Sequence, residues 1–295
     1  MDTDTGREPV AVVCAVDRVY AMGSAVMLQS ALEHFRGDRQ PWVFVLDGGV
    51  TPGQRARIEG ILARFGARHT WIVQDTAELE GLSTVDYISA STFLRLLIPS
   101  LLPAEVRKAV YLDSDLLVEA DLAELWSTDV SDVYLAAAPD PGVSLVSAEQ
   151  GLLNWRELGF AEGDRYFNAG VLVMNLERWR EEEFGARVLE YVRGNPRYIR
   201  WGDQDGLNAV VARRWRELPE RWNRLPRDDA APAPQIVHFL TGRKPWRAFR
   251  LGDPGSRWHQ ALRRSGYLSP AEWASYRLKS GLLHLSRWAR RRAER

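Results

Sequence analysis

The sequence has little of what marks several common classes of protein. Its single cysteine, Cys14, excludes an intramolecular disulfide and a cysteine metal cluster, and it favours a reducing compartment. The 39 basic and 39 acidic residues cancel, so no overall positive charge indicates a nucleic acid as partner. Neither a signal peptide nor an apolar run long enough to cross a bilayer is visible. We therefore expect a cytoplasmic protein that binds no nucleic acid.

The length of the chain and the distribution of its charge predict one large domain with a distinct tail. A chain of 295 residues with 45% hydrophobic residues can bury a full core. We place the main domain at residues 1–265 and a helical basic tail at 266–295. Residues 276–295 hold seven Lys or Arg and one Glu, and apolar residues recur there at helical spacing. This tail could lie on the inner face of an anionic membrane, dock on the domain or remain solvated.

Buried strands alternate with helical patterns along most of the chain. Continuous β-branched apolar runs predict strands at 9–16, 42–47, 69–73, 108–113, 133–140, 169–176 and 235–240. Helical spacing predicts helices at 20–35, 147–158, 184–193 and 203–213. A capping box of Thr51 and Gln54 predicts the start of a further helix. This alternation predicts an α/β fold with a mostly parallel central sheet flanked by helices.

Two carboxylates follow the predicted strand at 108–113. Asp113 and Asp115 are two residues apart, so on extended chain they face the same way. At about 6 Å apart in an effective dielectric near 20, they would repel by roughly 3 kcal/mol, and a shared cation would remove that cost. The alternative interpretation is a solvated turn after a strand. The position favours a metal site, because ligands in open α/β sheets bind outside the carboxyl ends of strands.

Six sequence blocks in order carry a family resemblance from about residue 12 to residue 246. They are AVDRVYA at 15–21, TFLRLLIP at 92–99, YLDSDLLV at 111–118, YFNAGVLVMNLERW at 166–179, DQDGLN at 203–208 and HFLTGRKPW at 238–246. In these blocks the chain resembles glycosyltransferase family eight, which includes glycogenin and bacterial lipopolysaccharide galactosyltransferases. The resemblance implies a Rossmann-like GT-A fold. It also implies retaining transfer of a hexose, glucose or galactose, from a UDP-sugar to a glycan, a lipid-linked sugar or another hydroxyl acceptor.

The resemblance also implies roles for residues around the diphosphate. Asp113, Asp115 and His238 would bind a metal, manganese or magnesium, with Ser114 between the two carboxylates. Lys244 would neutralise the leaving diphosphate. Its position has independent support, because only three of the 39 basic residues are lysines.

The same resemblance assigns the nucleoside and the loop that follows the metal site. Asp17 and Tyr20 would bind the base, and Arg95 would order the acidic centre and contact the donor. Gly242 would belong to the diphosphate loop, displaced by one residue from the glycine usual in the family. Val19 replaces an asparagine common in the family, which removes one polar contact to the nucleotide.

Four further residues match family positions that surround the donor sugar and its anomeric carbon: Asp140, Asn168, Asp203 and Gln204. We place Asp140 and Gln204 nearest the reacting carbon. The structural alternative for these residues is a role as helix caps and turn formers, with Asp203 as an N-cap.

Two other functions fit parts of the pattern. A phosphohydrolase of the haloacid dehalogenase type also has two aspartates after a buried strand, and GDQD at 202–205 imitates its later acidic motif. That class prefers Thr or Val where this chain has Leu117. A non-catalytic sugar-nucleotide-binding protein would keep the nucleotide residues and lose those around the anomeric carbon.

Overall fold

The structure, a computed structural model, describes residues 9–38, 40–74, 79, 81–82, 90–226, 234–240, 244–247 and 255–279. A seven-stranded sheet forms its centre, in the order β3-β2-β1-β4-β7-β6-β8. Its strands are β1 (Ala11–Val16), β2 (Trp42–Asp47), β3 (His69–Val73), β4 (Lys108–Leu112), β6 (Leu135–Pro139), β7 (Phe167–Asn175) and β8 (Trp215–Glu217). Two short strands, β5 (Leu116–Val118) and β9 (Ile236–His238), form a separate antiparallel pair.

The central sheet is mostly parallel, as predicted. β3, β2, β1 and β4 run parallel to one another, and so do β6 and β8. Only β7 runs against its neighbours β4 and β6 within this sheet. β1 is buried along its whole length, because its continuous apolar run packs against helices on both faces.

Helices cover the two faces of the sheet. They are α1 (Ala21–His34), α2 (Pro52–Arg64), α3 (Ile98–Leu101), α4 (Leu122–Trp126), α5 (Leu176–Glu181), α6 (Phe184–Gly194), α7 (Asp203–Val211) and α8 (Gly255–Ser265). The capping box before α2 is confirmed, since Thr51 Oγ1 accepts from the Gln54 amide and the Gln54 side chain accepts from the Thr51 amide. A 3-10 segment at Ala90–Leu97 contacts β1 and carries Arg95, which lines the cleft described below.

The helix predicted at 147–158 is wrong. Residues 146–159 form successive turns, with hydrogen bonds such as Leu152 N to Val146 O at 2.9 Å. Gly151 explains the difference, because a Cβ atom there would lie 2.4 Å from the Val146 carbonyl oxygen. The apolar side chains of this segment instead pack around buried Tyr166 in a small separate core.

The C-terminal part of the described chain lies on the main domain. After α8, Tyr267 is buried, and a helix at 270–279 follows. Arg57 Nη2 on α2 pairs with Glu272 Oε1 of this helix at 2.7 Å. The division of the chain at residue 265 stays a prediction, and the amphipathic segment predicted beyond residue 280 lies outside the described residues. Within the described part of the chain, no helix has the length and apolar character needed to span a bilayer.

Candidate active site

A cleft of about 510 Å³ opens at the carboxyl ends of β1 and β4. Most side chains assigned from the sequence line it: Tyr20, Arg95, Asp113, Ser114, Asp115, Asp140, Asn168, Asp203, Gln204, His238 and Lys244. They converge because parallel strands bring the ends of distant chain segments to one edge of the sheet. Gly242, assigned to the diphosphate loop, lies outside the described residues.

Asp113, Asp115 and His238 form a cluster that could hold a metal ion. One ligand atom from each residue lies within 4.8 Å of the other two. His238 Nε2 is 3.0 Å from Asp115 Oδ1 and 3.9 Å from Asp113 Oδ2. The pairing of β5 with β9 produces this arrangement, since it sets Leu116 opposite His238. Two carboxylates and one imidazole suit a divalent ion such as manganese, so the donor set fits the predicted metal.

Gly170 on β7 makes room for this cluster. A Cβ atom at Gly170 would lie 2.3 Å from His238 Cε1 and 2.8 Å from Asp113 Oδ2. Its backbone also fixes the first carboxylate, because the Asp113 amide donates to the Gly170 carbonyl oxygen at 2.8 Å. The cluster therefore depends on the absence of a side chain at this position.

The imidazole of His238 is held by a chain of amides. Its Nδ1 lies 2.9 Å from Asn223 Oδ1, which leaves Nε2 facing the two aspartates. Asn223 Nδ2 donates to Asn168 Oδ1 at 2.8 Å, and Asn168 Nδ2 donates to Asp140 Oδ2 at 2.8 Å. All four of these residues are buried. This chain of hydrogen bonds connects the metal cluster to the residues assigned to the donor sugar.

Lys244 lies beside the metal cluster. Its ammonium group pairs with Asp115 Oδ2 and donates to the Phe239 carbonyl oxygen at 2.6 Å. Burial alone would raise the pKa of Asp115, but its contacts with His238 and Lys244 outweigh burial and hold that pKa well below its ordinary range. Asp115 is therefore ionised at neutral pH, as a metal ligand must be.

Ser114 points away from the two carboxylates. Its hydroxyl donates to the Ala15 carbonyl oxygen at 2.8 Å and accepts from Ser24 Oγ at 2.7 Å. These bonds tie the acidic turn to β1 and α1, which fixes the direction of its neighbours. The assignment of Ser114 to donor binding stays a prediction.

Arg95 connects the acidic turn to α7. Its Nη2 lies 3.1 Å from Asp113 Oδ1, its Nε lies 2.8 Å from Asp203 Oδ2, and its Nη1 donates to the Ala169 carbonyl oxygen. The guanidinium also lies 4.6 Å from the centre of the Tyr111 ring. Burial alone would lower the pKa of Arg95, but the two carboxylates outweigh it and hold that pKa above its ordinary value.

Asp203 is the first residue of α7 and has an unusual environment. The preceding Gly202, with φ 61°, occupies the N-cap position, so the N-cap role considered for Asp203 is wrong. Burial raises the pKa of Asp203 to about 6, the negative charge of Asp113 adds to this rise, and the charge of Arg95 opposes it without cancelling it. Asp203 Oδ1 accepts a hydrogen bond from Thr92 Oγ1 at 3.0 Å. Arg95 Nε donates its hydrogen bond to the Thr92 carbonyl oxygen at 3.0 Å and not to Asp203. Asp203 Oδ2 is thus held by an ionic contact and accepts no hydrogen bond from the described residues.

Asp140, Asn168 and Gln204 form the other wall of the site. Gln204 Nε2 donates to Asp140 Oδ2 at 3.1 Å, and Gln204 Oε1 accepts from the Ala169 amide at 3.1 Å. Asp140 Oδ1 accepts the backbone amides of Gly142 and Val143 at 2.8 and 2.9 Å. These hydrogen bonds hold the three side chains in one arrangement, with Asp140 directly after β6, Asn168 on β7 and Gln204 on α7. Their contact with a donor sugar stays a prediction.

Asp17 and Tyr20 lie at the end of β1. Asp17 Oδ1 accepts the amides of Val19 and Tyr20 at 2.8 Å each, and its Oδ2 accepts from Ser91 Oγ at 3.1 Å. Tyr20 lines the cleft, but Asp17 is not among the lining residues. Asp17 shapes the turn that presents Tyr20, and its contact with a base stays a prediction.

Sequence reasoning missed several residues of this site. They are Asn223, Tyr111, Thr92 and Tyr166, which bond to the side chains already described. Tyr111, Thr92 and Tyr166 lie in blocks that drew attention for other residues. Tyr111 is the next-to-last residue of β4 and donates to Asp113 Oδ1 at 2.9 Å. Its place two residues before Asp113 is the signal that could have indicated it. Asn223 lies in an irregular segment with no such signal.

The fold and the acidic metal cluster define a transferase of the GT-A type. Residues 11–249 match the model of glycosyl transferase family 8, and the chain belongs to this family. General stress protein A of Bacillus subtilis is 28% identical over 255 residues, which are 80% of this chain and 86% of that protein. Glycosyltransferase GlyE of Streptococcus pneumoniae is 28% identical over 208 residues, which are 65% of this chain and 46% of that protein. The chain therefore spans less than half of GlyE.

Solved structures agree with this assignment. The galactosyltransferase LgtC, crystallised with donor and acceptor sugar analogs, superposes with a TM-score of 0.76 at 26% identity. The superposition covers 90% of this chain and 100% of the LgtC chain. The structure of GlyE superposes with a TM-score of 0.64 at 24% identity, which shows a shared fold. Membership in this family argues against a haloacid-dehalogenase-type phosphohydrolase.

Proposed function

We propose that this protein is a retaining hexosyltransferase that moves glucose or galactose from a UDP-sugar to a hydroxyl acceptor. The observation that carries the proposal is the cluster of Asp113, Asp115 and His238, whose ligand atoms lie within 4.8 Å of one another in the cleft of a family 8 chain. A manganese or magnesium ion held there would supply positive charge next to a diphosphate.

The remaining charges of the site fit a leaving diphosphate. Lys244 is buried at the metal cluster, and its Nζ lies 5.8 Å from the centre of the Tyr20 ring. A ligand that stacks its base on Tyr20 would bring its phosphates within reach of this ammonium group. The ammonium would then stabilise the negative charge that develops as the sugar bond breaks.

The wall of Asp140, Asn168 and Gln204 suits the sugar. Its side chains offer carboxylate and amide groups whose orientation is fixed by the 2.8 to 3.1 Å hydrogen bonds among them. A hexose has hydroxyl groups in fixed directions, and such a rigid polar wall can distinguish them. We propose that Asp140 and Gln204 lie nearest the anomeric carbon, with Asp203 holding Arg95 in place behind them.

The acceptor is a glycan, a lipid-linked sugar or another hydroxyl compound. We propose that the protein works in the cytoplasm, where UDP-sugars are available, and that the segment beyond residue 280 contacts the membrane peripherally. If vesicles containing acidic lipid sediment the full chain no better than a chain ending at residue 280, the membrane contact is refuted.

The transferase proposal is tested by UDP release. The protein is incubated with manganese and UDP-glucose or UDP-galactose, with and without sugar acceptors, and proton magnetic resonance reads the anomeric configuration of the product. We expect UDP release that needs the metal, stops with a chelator and keeps the configuration of the donor. UDP-sugar binding without release would instead indicate a non-catalytic sugar-nucleotide-binding protein, and phosphate release alone would indicate a phosphohydrolase.

A further inference from the structure

Lys244 lies in a short segment that needs support from elsewhere in the fold. A 3-10 turn at Pro245–Arg247 follows it, closed by a hydrogen bond from the Arg247 amide to the Lys244 carbonyl oxygen at 3.0 Å. One turn of this kind has little stability of its own. The Lys244 ammonium is held by Asp115 and the Phe239 carbonyl oxygen, whereas the backbone that carries this side chain depends on what packs against residues 244–247.

Trp246 fixes one side of this turn. Its ring meets the Tyr20 ring edge-on, with the ring centres 5.4 Å apart, and it lies 5.7 Å from the ring of Trp258 on α8. Gly23 on α1 allows this approach, because a Cβ atom there would be 3.0 Å from Trp246 Cζ3 and 2.4 Å from the Ser114 carbonyl oxygen. Trp246 thus lies between the start of α1 and α8.

The helix at 270–279 contacts the other side of the turn at Pro245–Arg247. Tyr276 donates its hydroxyl hydrogen to the Pro245 carbonyl oxygen at 3.4 Å, and His259 Nε2 on α8 lies 3.1 Å from the same hydroxyl. Because the Tyr276 hydroxyl donates its hydrogen to the Pro245 carbonyl oxygen, the hydroxyl oxygen accepts the hydrogen bond from His259 Nε2. His259 is buried, and its ring lies 6.0 Å from that of Tyr276.

We propose that Tyr276 is a positioning residue for the donor site and that it acts through Pro245 on Lys244. The proposal rests on the proposed function, because it takes the diphosphate to be the group that Lys244 contacts. It assigns part of the segment predicted as a separate tail to the donor site. The phenolic ring supplies packing and the hydroxyl supplies the bond to the turn, so the two contributions can be separated.

The substitution Tyr276→Phe separates them, because it keeps the ring and removes the hydroxyl. Hydrogen exchange followed by mass spectrometry, without any ligand, should show faster exchange in the peptide that contains residues 244–247. The substitution removes two hydrogen bonds, one from His259 and one to the Pro245 carbonyl oxygen, and only the second reaches the turn at 245–247. In the presence of manganese, UDP should bind about three- to tenfold more weakly, as expected when the turn loses that one hydrogen bond. KM for the UDP-sugar should rise by the same factor, and kcat should change less.

Glu272→Gln provides the matched control on the same helix. It weakens the pair with Arg57, which lies on α2 and has no described contact with residues 244–247. The control should lower the thermal midpoint about as much as Tyr276→Phe while leaving both UDP affinity and exchange at 244–247 unchanged.

The outcomes distinguish this proposal from the proposed function. If the unmodified protein binds no UDP, the donor assignment is wrong, and the exchange experiment still tests the contact between Tyr276 and the turn. If the unmodified protein binds UDP and Tyr276→Phe binds it equally well, or exchange at 244–247 is unchanged, the positioning role of Tyr276 is refuted. Equal losses of UDP affinity in both variants would also refute it, because they would indicate a general loss of stability.

Discussion

The substitution Gly170→Ala tests whether the three metal ligands need the space beside β7. The added methyl group would lie 2.3 Å from His238 Cε1 and 2.8 Å from Asp113 Oδ2, far inside van der Waals contact. Neither neighbour can move easily, because His238 is bonded to Asn223 and the Asp113 backbone is bonded to Gly170 itself. Overpacking of this kind costs about 1–3 kcal/mol. The displaced ligands should bind manganese about 10- to 100-fold more weakly.

Electron paramagnetic resonance of free manganese measures this loss directly, and a denaturant titration measures stability. Gly60→Ala is the matched control: the same methyl group is added inside α2, where nothing lies within 4 Å. Alanine is the better helix former by about 1 kcal/mol, so this control should be neutral or more stable and should bind manganese normally. If Gly170→Ala binds manganese as tightly as the unmodified protein and is equally stable, the metal cluster is not where we place it.

Three further substitutions have defined outcomes. Asn223→Ala removes the partner of His238 Nδ1 and should weaken manganese binding about 10- to 100-fold in a calorimetric titration; unchanged binding would show that the imidazole needs no second partner. Lys244→Met removes a cation beside Asp115, so manganese alone should bind more tightly while kcat falls about 100-fold; a loss of metal affinity would contradict this electrostatic argument. The pKa of Asp203 is raised from 3.8 to about 6, so the folded protein holds the Asp203 carboxyl proton more tightly than the unfolded chain does. The free energy of unfolding therefore falls by up to about 3 kcal/mol as the pH rises from about 4 to 6. Denaturant titrations of Asp203→Asn across this range should lack that fall, and a parallel pH dependence in both proteins would refute it.

The strands and the acidic turn could be predicted because they depend on local sequence. A continuous run of buried β-branched residues such as 11–16 has few other ways to exclude water, and its burial along the whole length confirms this. The pair Asp113 and Asp115 could be predicted because it directly follows a buried strand, but the extended chain expected there is wrong, since β4 ends at Leu112 and residues 114–115 form a turn. The helix predicted at 147–158 failed because apolar spacing alone does not separate a helix from a set of turns around a small core. The decisive residue, Gly151, acts through one close backbone contact.

The hydrogen bonds between residues that are distant in the sequence could not be predicted. Asn223 contacts His238, 15 residues further along the chain, and Tyr276 contacts Pro245, 31 residues before it. No periodicity marks such pairs, because they depend on how α8 and the loops pack. The hydrogen bonds of the Ser114 hydroxyl to β1 and α1 could not be predicted either, and its assignment to donor binding stays a prediction.

The central claim is that Asp113, Asp115 and His238 hold the metal that a UDP-sugar transferase needs. Asp115→Asn tests it most directly, because the amide keeps the shape of the carboxylate and removes its charge. Manganese-dependent UDP release and sugar transfer should be abolished while circular dichroism shows the same fold. Asp129→Asn, at an exposed position, should transfer sugar normally. Normal metal-dependent transfer by Asp115→Asn would contradict the claim.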